Sequence, residues 1–269
     1  MNDRVRISFN DSAIAEVCLA RGDKMNALDA SMFAALNAAI EQLRDRPGLR
    51  AVVLHGEGRA FCAGLDMASF AAMAGAADTA LQDLRLRTHG LANAPQHVAL
   101  GWRALPVPVI AALHGVAYGG GLQLALGADL RLLARDARLS VMELQWGIVP
   151  DMAGMVLMRG LLRDDVLREL TYTARVVGAD EAVALGLGTR VCDDPLAEAR
   201  ALAQIIAGRS PQAVRAAKRL LNQAARSLDE SAAALLQAES DEQVALIGTA
   251  QQVEAVRARL EKREARFEG

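Results

Sequence analysis

The chain has 269 residues, 52% hydrophobic and 23% charged, a balance that excludes disorder and leaves room for one large domain, or for one with an appendage. Thirty Lys and Arg against 32 Asp and Glu give a net charge of −2, and five Phe, two Tyr and two Trp leave little for base stacking, so nucleic acid is not an expected partner. Cys18, Cys62 and Cys192 are odd in number and far apart, which excludes a disulfide framework or zinc ribbon; with no apolar run resembling a signal peptide or a membrane span, the expected setting is soluble and cytoplasmic.

In chain order, Arg6–Phe9 and Ile14–Leu19 are predicted strands, separated by the turn residues Asn10-Asp11-Ser12. Asp29 is the predicted N-cap of a helix through Met32, Leu36, Ile40 and Leu43, stopping near Pro47-Gly48. Ala51–Leu54 reads as a buried strand ended by Gly56-Glu57-Gly58. The stretch from Ser69 to about Arg103 is Ala-rich and helical in character, but interrupted by Gly75, Gly90 and Pro95, so it is expected to form a mobile cover over a site. A second apolar strand, Val109–Leu113, runs through His114-Gly115 into Gly119-Gly120-Gly121 and a helix, Leu122–Leu126. Asp129–Leu133 and Leu139–Val141 are further strand candidates, and this alternation is α/β grammar. Beyond residue 152 the pattern turns almost wholly helical: Met155–Leu162, Asp164–Tyr172, Ala179–Leu185, Leu196–Ala207, Pro211–Ala225, then one amphipathic run from Leu228 to Phe267. Such a tail packs on its own core or on a neighbouring subunit.

Two glycine-containing turns, each following a strand, are the most specific feature: Gly58–Asp66 and His114–Gln123. Neither is a Walker A loop or a dinucleotide fingerprint, and no nucleophile elbow occurs. Singly, each reads as a tight turn packed against a sheet. Together they suggest two backbone N–H groups from different turns aimed at one point, which is the design of an oxyanion hole. His55, His89, His97 and His114 show no metal-ligand spacing, so no metal site and no mixed cluster are expected. Cys62 has no base to activate it and reads as small apolar packing. Tyr172 and Trp146 read as core or pocket wall.

Arg21–Leu28, Ala60–Asp66, Ala117–Gly121 and Glu261-Lys262-Arg263, in this order and spacing, resemble the crotonase (enoyl-CoA hydratase/isomerase) superfamily over nearly the whole chain. The resemblance implies an α/β fold, a crotonase-like ββα spiral core at 1–200 with a C-terminal helical region at 201–269 for covering the site or for oligomerisation. It also implies an acyl-CoA thioester substrate, coenzyme A entering as part of the substrate with no other cofactor, and a homotrimer or hexamer. The family's two oxyanion donors fall on the N–H of Leu65 and of Gly120. Its adenosine site falls on the backbone around Lys24, Ala27, Ala63, Asp66 and Met67, with Arg59 and Lys262 as basic partners for the CoA phosphates. Both basic residues also read as plain surface charges. Ala68 stands where the family often has a basic residue, which removes one phosphate contact.

The resemblance also sets the acid–base positions. Hydratases of the family use two glutamates; the first matching position is Gln123, which cannot exchange a proton at neutral pH, and the second is Glu143. Asp151 stands eight residues further on, where hydratases usually have glycine, and the Glu–Asp pair resembles dienoyl-CoA isomerases in part, since those usually carry an additional Asp at the Gln123 position. Asp151 has a second reading, as an N-cap after Pro150. A carboxylate in an apolar pocket has a raised pKa, suited to moving a proton along an acyl chain. The expected activity is therefore a double-bond shift in an enoyl- or dienoyl-CoA, with Glu143 as main base and Asp151 as second proton carrier. The alternatives are hydration, with Gln123 and Glu143 placing the water, or a catalytically weak CoA-ester- or RNA-binding relative.

Overall fold

The computed structural model describes residues 4–10, 13–69, 84–226 and 232–265. Strand β1 (Val5–Phe9) pairs antiparallel with β2 (Ile14–Leu19), Val5 opposite Leu19; Asp11 and Ser12 of the predicted turn lie outside the described residues. Helix α1 (Ala30–Arg44) starts as its sequence predicts, with Asp29 Oδ1 accepting the Met32 N–H at 2.7 Å. Strand β3 (Ala51–Gly56) then lies parallel to β2. Helix α2 (Ala94–Ala104) leads to β4 (Val109–Leu113), parallel to β3.

Short β5 (Val116–Tyr118) and α3 (Gly120–Leu126) follow, then β6 (Leu130–Ala134) beside β4 and β7 (Arg138–Ser140) beside β5. Helices α4 (Gly154–Met158) and α5 (Asp164–Thr173), strand β8 (Val177–Gly178), helix α6 (Ala179–Leu185), strand β9 (Arg190–Cys192) and helix α7 (Pro195–Ala207) come next. The chain continues through α8 (Pro211–Arg226), α9 (Ala232–Leu246) and α10 (Ala250–Leu260). The main sheet runs β1-β2-β3-β4-β6-β9 and the small one β5-β7-β8.

The alternation of side chains along each strand sorts the two faces of the main sheet. Val17, Leu19, Val52, Leu54, Val109 and Ala111 join Leu36, Ile40, Val98 and Trp102 in the larger core. Ile14, Val53, Ile110, Ala112 and Leu132 instead meet Ala199 and Ala203 of α7. Residue 200, where the sequence reading divides the chain, falls inside that helix.

Three expectations are corrected. Of the expected cover, 70–83 lies outside the described residues, but Ala94–Ala104 is a core helix. Asn93 and Gln96 close a reciprocal capping box, and Pro95 sits in the first turn, where it favours the helix rather than interrupting it. The C-terminal half also holds strands β8 and β9, both too short to show a period in sequence; β9 closes the main sheet beside β6 and β8 pairs with β7. Finally, the predicted Leu228–Phe267 run is divided: Gly248 has φ +78°, and Thr249 caps a new helix by accepting the Gln252 N–H.

Candidate active site

The carboxyl ends of the parallel strands carry the two turns. Residues 61–63 run beside β5: Phe61 N–H donates to His114 O at 2.9 Å, Cys62 N–H to Val116 O at 3.0 Å, and Tyr118 N–H to Cys62 O at 3.1 Å. Asn26, buried at φ +55°, braces the first turn by donating from Nδ2 to Glu57 O and Ala60 O, both at 2.9 Å, while its Oδ1 accepts the Arg21 N–H. Gly64 has φ +90°, and a Cβ there would lie 2.6 Å from Tyr118 O, so only glycine lets the turns touch. Leu28 grips this strand-like piece on its other side, donating to Gly64 O and accepting from Asp66 N–H. Between them the Leu65 N–H makes no backbone hydrogen bond among the described residues, nor does the Gly120 N–H at the start of α3. Both residues line one cavity of about 910 Å³.

Gln123, Glu143 and Asp151 line the same cavity. Glu143 is buried; its Oε1 accepts from Gln123 Nε2 at 2.6 Å, while its Oε2 has no hydrogen-bond partner among the described residues. The Gln123 amide has one way round, because its Oε1 accepts the N–H groups of Met152 and Gly154, each at 2.9 Å. Burial pushes the Glu143 carboxyl up to about 7; the backbone at Glu143, the hydrogen bond from Gln123 and the backbone at Met142 oppose this, and the Asp151 charge adds to it. Asp151, half-buried, is likewise raised to about 7 by burial against a hydrogen bond from Gln243. The N-cap reading of Asp151 is corrected: Ala153, at φ +65°, precedes α4, and no side chain at that position caps it.

The N–H groups there are held from elsewhere. Glu239 of α9 accepts from Ala153 N–H at 2.9 Å and from Met155 N–H at 3.1 Å, and burial raises its carboxyl to about 8. Gln243, one turn further along α9, accepts the Val149 N–H at 3.1 Å. Sequence reading missed both. Their only signal is a pair of polar residues four apart on a helix, which by itself reads as a solvated face.

Of the proposed CoA contacts, Lys24, Ala27, Arg59, Ala63, Asp66 and Met67 line the cavity. Lys262 is not among its lining residues; it sits exposed after α10, and that helix contributes Arg259 instead, over the Trp146 ring at 5.1 Å. Trp146 is a pocket wall as expected, but Tyr172 is 65% exposed and is neither core nor wall. Cys62 is an inert packing residue, its thiol pushed up to about 12 by burial and donating to Asn26 O. One expectation about histidines is corrected, because the fold brings ligand atoms of Glu41, His89 and His97 within 4.8 Å of one another. The guanidinium of Arg44 already meets these acceptors, at 3.0 Å from His97 Nε2 and 2.8 Å from Glu41 Oε2, and supplies the positive charge they call for.

A family model described as enoyl-CoA hydratase/isomerase matches residues 10–269. YngF of Bacillus subtilis (strain 168), whose name assigns it provisionally as an enoyl-CoA hydratase/isomerase, is 34% identical over 274 residues and covers 100% of both chains. Carnitinyl-CoA dehydratase of Proteus mirabilis (strain HI4320) is 34% identical over 77% of this chain and 76% of its own. Among solved structures, an enoyl-CoA hydratase/isomerase from Mycobacterium paratuberculosis superposes with a TM-score of 0.83 at 29% identity, covering 95% of this chain and 98% of its own.

Proposed function

This chain belongs to the enoyl-CoA hydratase/isomerase family of acyl-CoA enzymes, and we propose that within it the protein shifts a carbon–carbon double bond in an enoyl- or dienoyl-CoA thioester. The observation that carries this reading is the asymmetry of Glu143: Oε1 is held by an amide that cannot exchange a proton, and Oε2 has no hydrogen-bond partner among the described residues. One glutamate, not a pair of them, faces the acyl chain, with Asp151 as the second carboxyl of the cavity. In a 3-enoyl-CoA the Glu143 carboxylate takes a proton from C2, and the electron pair moves onto the thioester oxygen. The N–H groups of Leu65 and Gly120 hold that oxyanion, a contribution of ~2.7–4 kcal/mol per donor in comparable sites. As the enolate collapses, the C2–C3 double bond forms and C4 takes a proton from Glu143 or Asp151. A pKa of about 7 suits Glu143 to both halves of this exchange.

The CoA portion rests on the backbone around Lys24, Ala27, Ala63, Asp66 and Met67, with Arg59 and Arg259, which line the cavity, near its phosphates. No metal or redox group enters this chemistry. Assembly as a trimer or a pair of trimers is part of the proposal, supported by Leu220 and Leu221 standing 66% and 71% exposed on α8. Among the described residues no helix is long and apolar enough to cross a membrane, and a cytoplasmic setting is the proposed one.

Hydration or dehydration is the second reading. Gln123 Nε2 has a second hydrogen beyond the one given to Glu143, fit to hold a water, and several relatives are named dehydratases. Turnover of crotonyl-CoA and of a 3-enoyl-CoA in deuterated water separates the two. Isomerisation predicts that the 3-enoyl ester is converted to the 2-enoyl ester, with deuterium uptake at C4 when Asp151 delivers the proton and little when Glu143 returns its own, that crotonyl-CoA is not hydrated, and that Glu143→Gln stops turnover. Hydration of crotonyl-CoA at a comparable rate would replace the first reading by the second.

A further inference from the structure

Four successive backbone N–H groups, those of residues 152 to 155, lie at the start of α4 beside the cavity. They are divided between two side chains. Gln123 takes Met152 and Gly154; Glu239 takes Ala153 and Met155. Glu239 is not among the residues lining the cavity, and it is 5% exposed. Its Oε2 also accepts from Gln96 Nε2 at 3.3 Å, and Gln96 Nε2 donates to Leu236 O at 2.7 Å, so the carboxyl is locked between α9 and α2. Both its oxygens keep an acceptor lone pair whether or not the group is protonated.

We propose that Glu239 is a positioning residue for the reaction: by holding Ala153 and Met155 it presents the Met152 and Gly154 N–H groups to Gln123, and so keeps the Gln123 amide turned to donate to Glu143. The dependence runs from the carboxyl of α9 to the 152–155 backbone, to the Gln123 oxygen, and through the same planar amide to Glu143 Oε1. If the backbone at 152–155 rotates, Gln123 loses both anchors. Its amide is then free to turn, and the contact with Glu143 Oε1 is no longer enforced. A role confined to fastening α9 would leave that contact intact.

The inference rests on the acid–base role of Glu143 given above, and the test separates the two. In Glu239→Gln the new amide nitrogen has no acceptor lone pair and faces a backbone donor, while the shape of the side chain is kept. The expected result is a fall in kcat of roughly tenfold or more, with KM changed by less than about threefold. Combined with Gln123→Ala, the same substitution is expected to lower kcat by less than about twofold further, because the path runs through the amide already removed. Equal fractional losses in both backgrounds, or no loss in either, would overturn the proposal.

A second readout needs no turnover. Titrating the carboxyl carbon of Glu143 by NMR in the free protein should show its pKa moved upward in Glu239→Gln, because the stabilising donation is lost. An unmoved titration overturns the positioning role. If the wild-type protein converts neither thioester, the proposed reaction falls while this titration still decides the part played by Glu239. Should Glu239→Gln not fold, Glu239→Asp, which withdraws both acceptor oxygens by one methylene, is read by the same two measurements with the same expected directions.

Discussion

At Glu143 the chemistry depends on which oxygen is bound and which is bare. The charged form is the base, and burial holds the group near about 7, so kcat/KM should rise with pH through that region. Asp151 contributes to the raised value through its charge. Asp151→Asn removes that charge and should move the midpoint of the rise to lower pH, a shift that a pH–rate profile measures directly. A midpoint that stays in place would mean that the two carboxyls do not sense one another. Asn26 gives a stability test at the same scale. It is fully buried in a left-handed conformation, with two hydrogen bonds to the backbone at the first turn and one from the Arg21 N–H, so Asn26→Ala should cost about 2–4 kcal/mol in urea unfolding. Much of this was legible in the chain: both turns stand out by residue type and spacing, and the resemblance to the family singles out Glu143 and Asp151. The direction of the Gln123 amide was not, because nothing local distinguishes its oxygen from its nitrogen.

Among the elements, α2 shows best how a sequence pattern misleads. An Ala-rich stretch with Gly90 and Pro95 suggests a loose cover, yet Trp102 is fully buried and the helix packs on α1. Trp102→Ala should therefore destabilise the protein by about 3–5 kcal/mol, seen as a lowered urea midpoint, whereas loss at a cover would leave the midpoint unchanged. Helix α4 gives the complementary case. A Cβ at Gly154 would come within 2.6 Å of Gln123 Oε1, so Gly154→Ala should push the amide away from its anchors. The expected outcome is a folded protein with kcat down roughly tenfold or more, and near-normal activity would show that the amide does not need these anchors. The strands β8 and β9 escaped notice for a simpler reason. Two or three residues cannot display a period, and their place is decided by the open edges of β7 and β6.

At the scale of the whole molecule, three carboxyls near the site, Glu143, Asp151 and Glu239, have raised pKa values in the folded state. A raised carboxyl binds its proton more tightly when folded than when unfolded, so its contribution is greatest at low pH and is lost as pH rises through the folded value. His97 and His55 are lowered by burial and act in the opposite sense, but both are largely neutral in either state above about pH 7. Between about pH 7 and about pH 9 the carboxyls should dominate, and the urea midpoint should fall. Glu239→Gln should reduce that fall, and an unchanged slope would mean that Glu239 does not titrate there.

The local sequence by itself determined the elements whose reasons are local. Apolar runs make the buried parallel strands, Asp29 caps α1, and glycines allow the two turns to approach, because each follows from propensity or sterics within a few residues. The motif order along the chain also pointed to the family. Only the tertiary structure decided that Glu143 keeps one oxygen bare, that Asp151 is not a helix cap, and that α9 takes part in holding the site. Those facts rest on hydrogen bonds such as the one from Ala153 to Glu239, 86 residues apart, and on burial that makes the partners of a polar group matter. A linear pattern shows which groups are available, but which donor meets which acceptor is set when the fold closes around them.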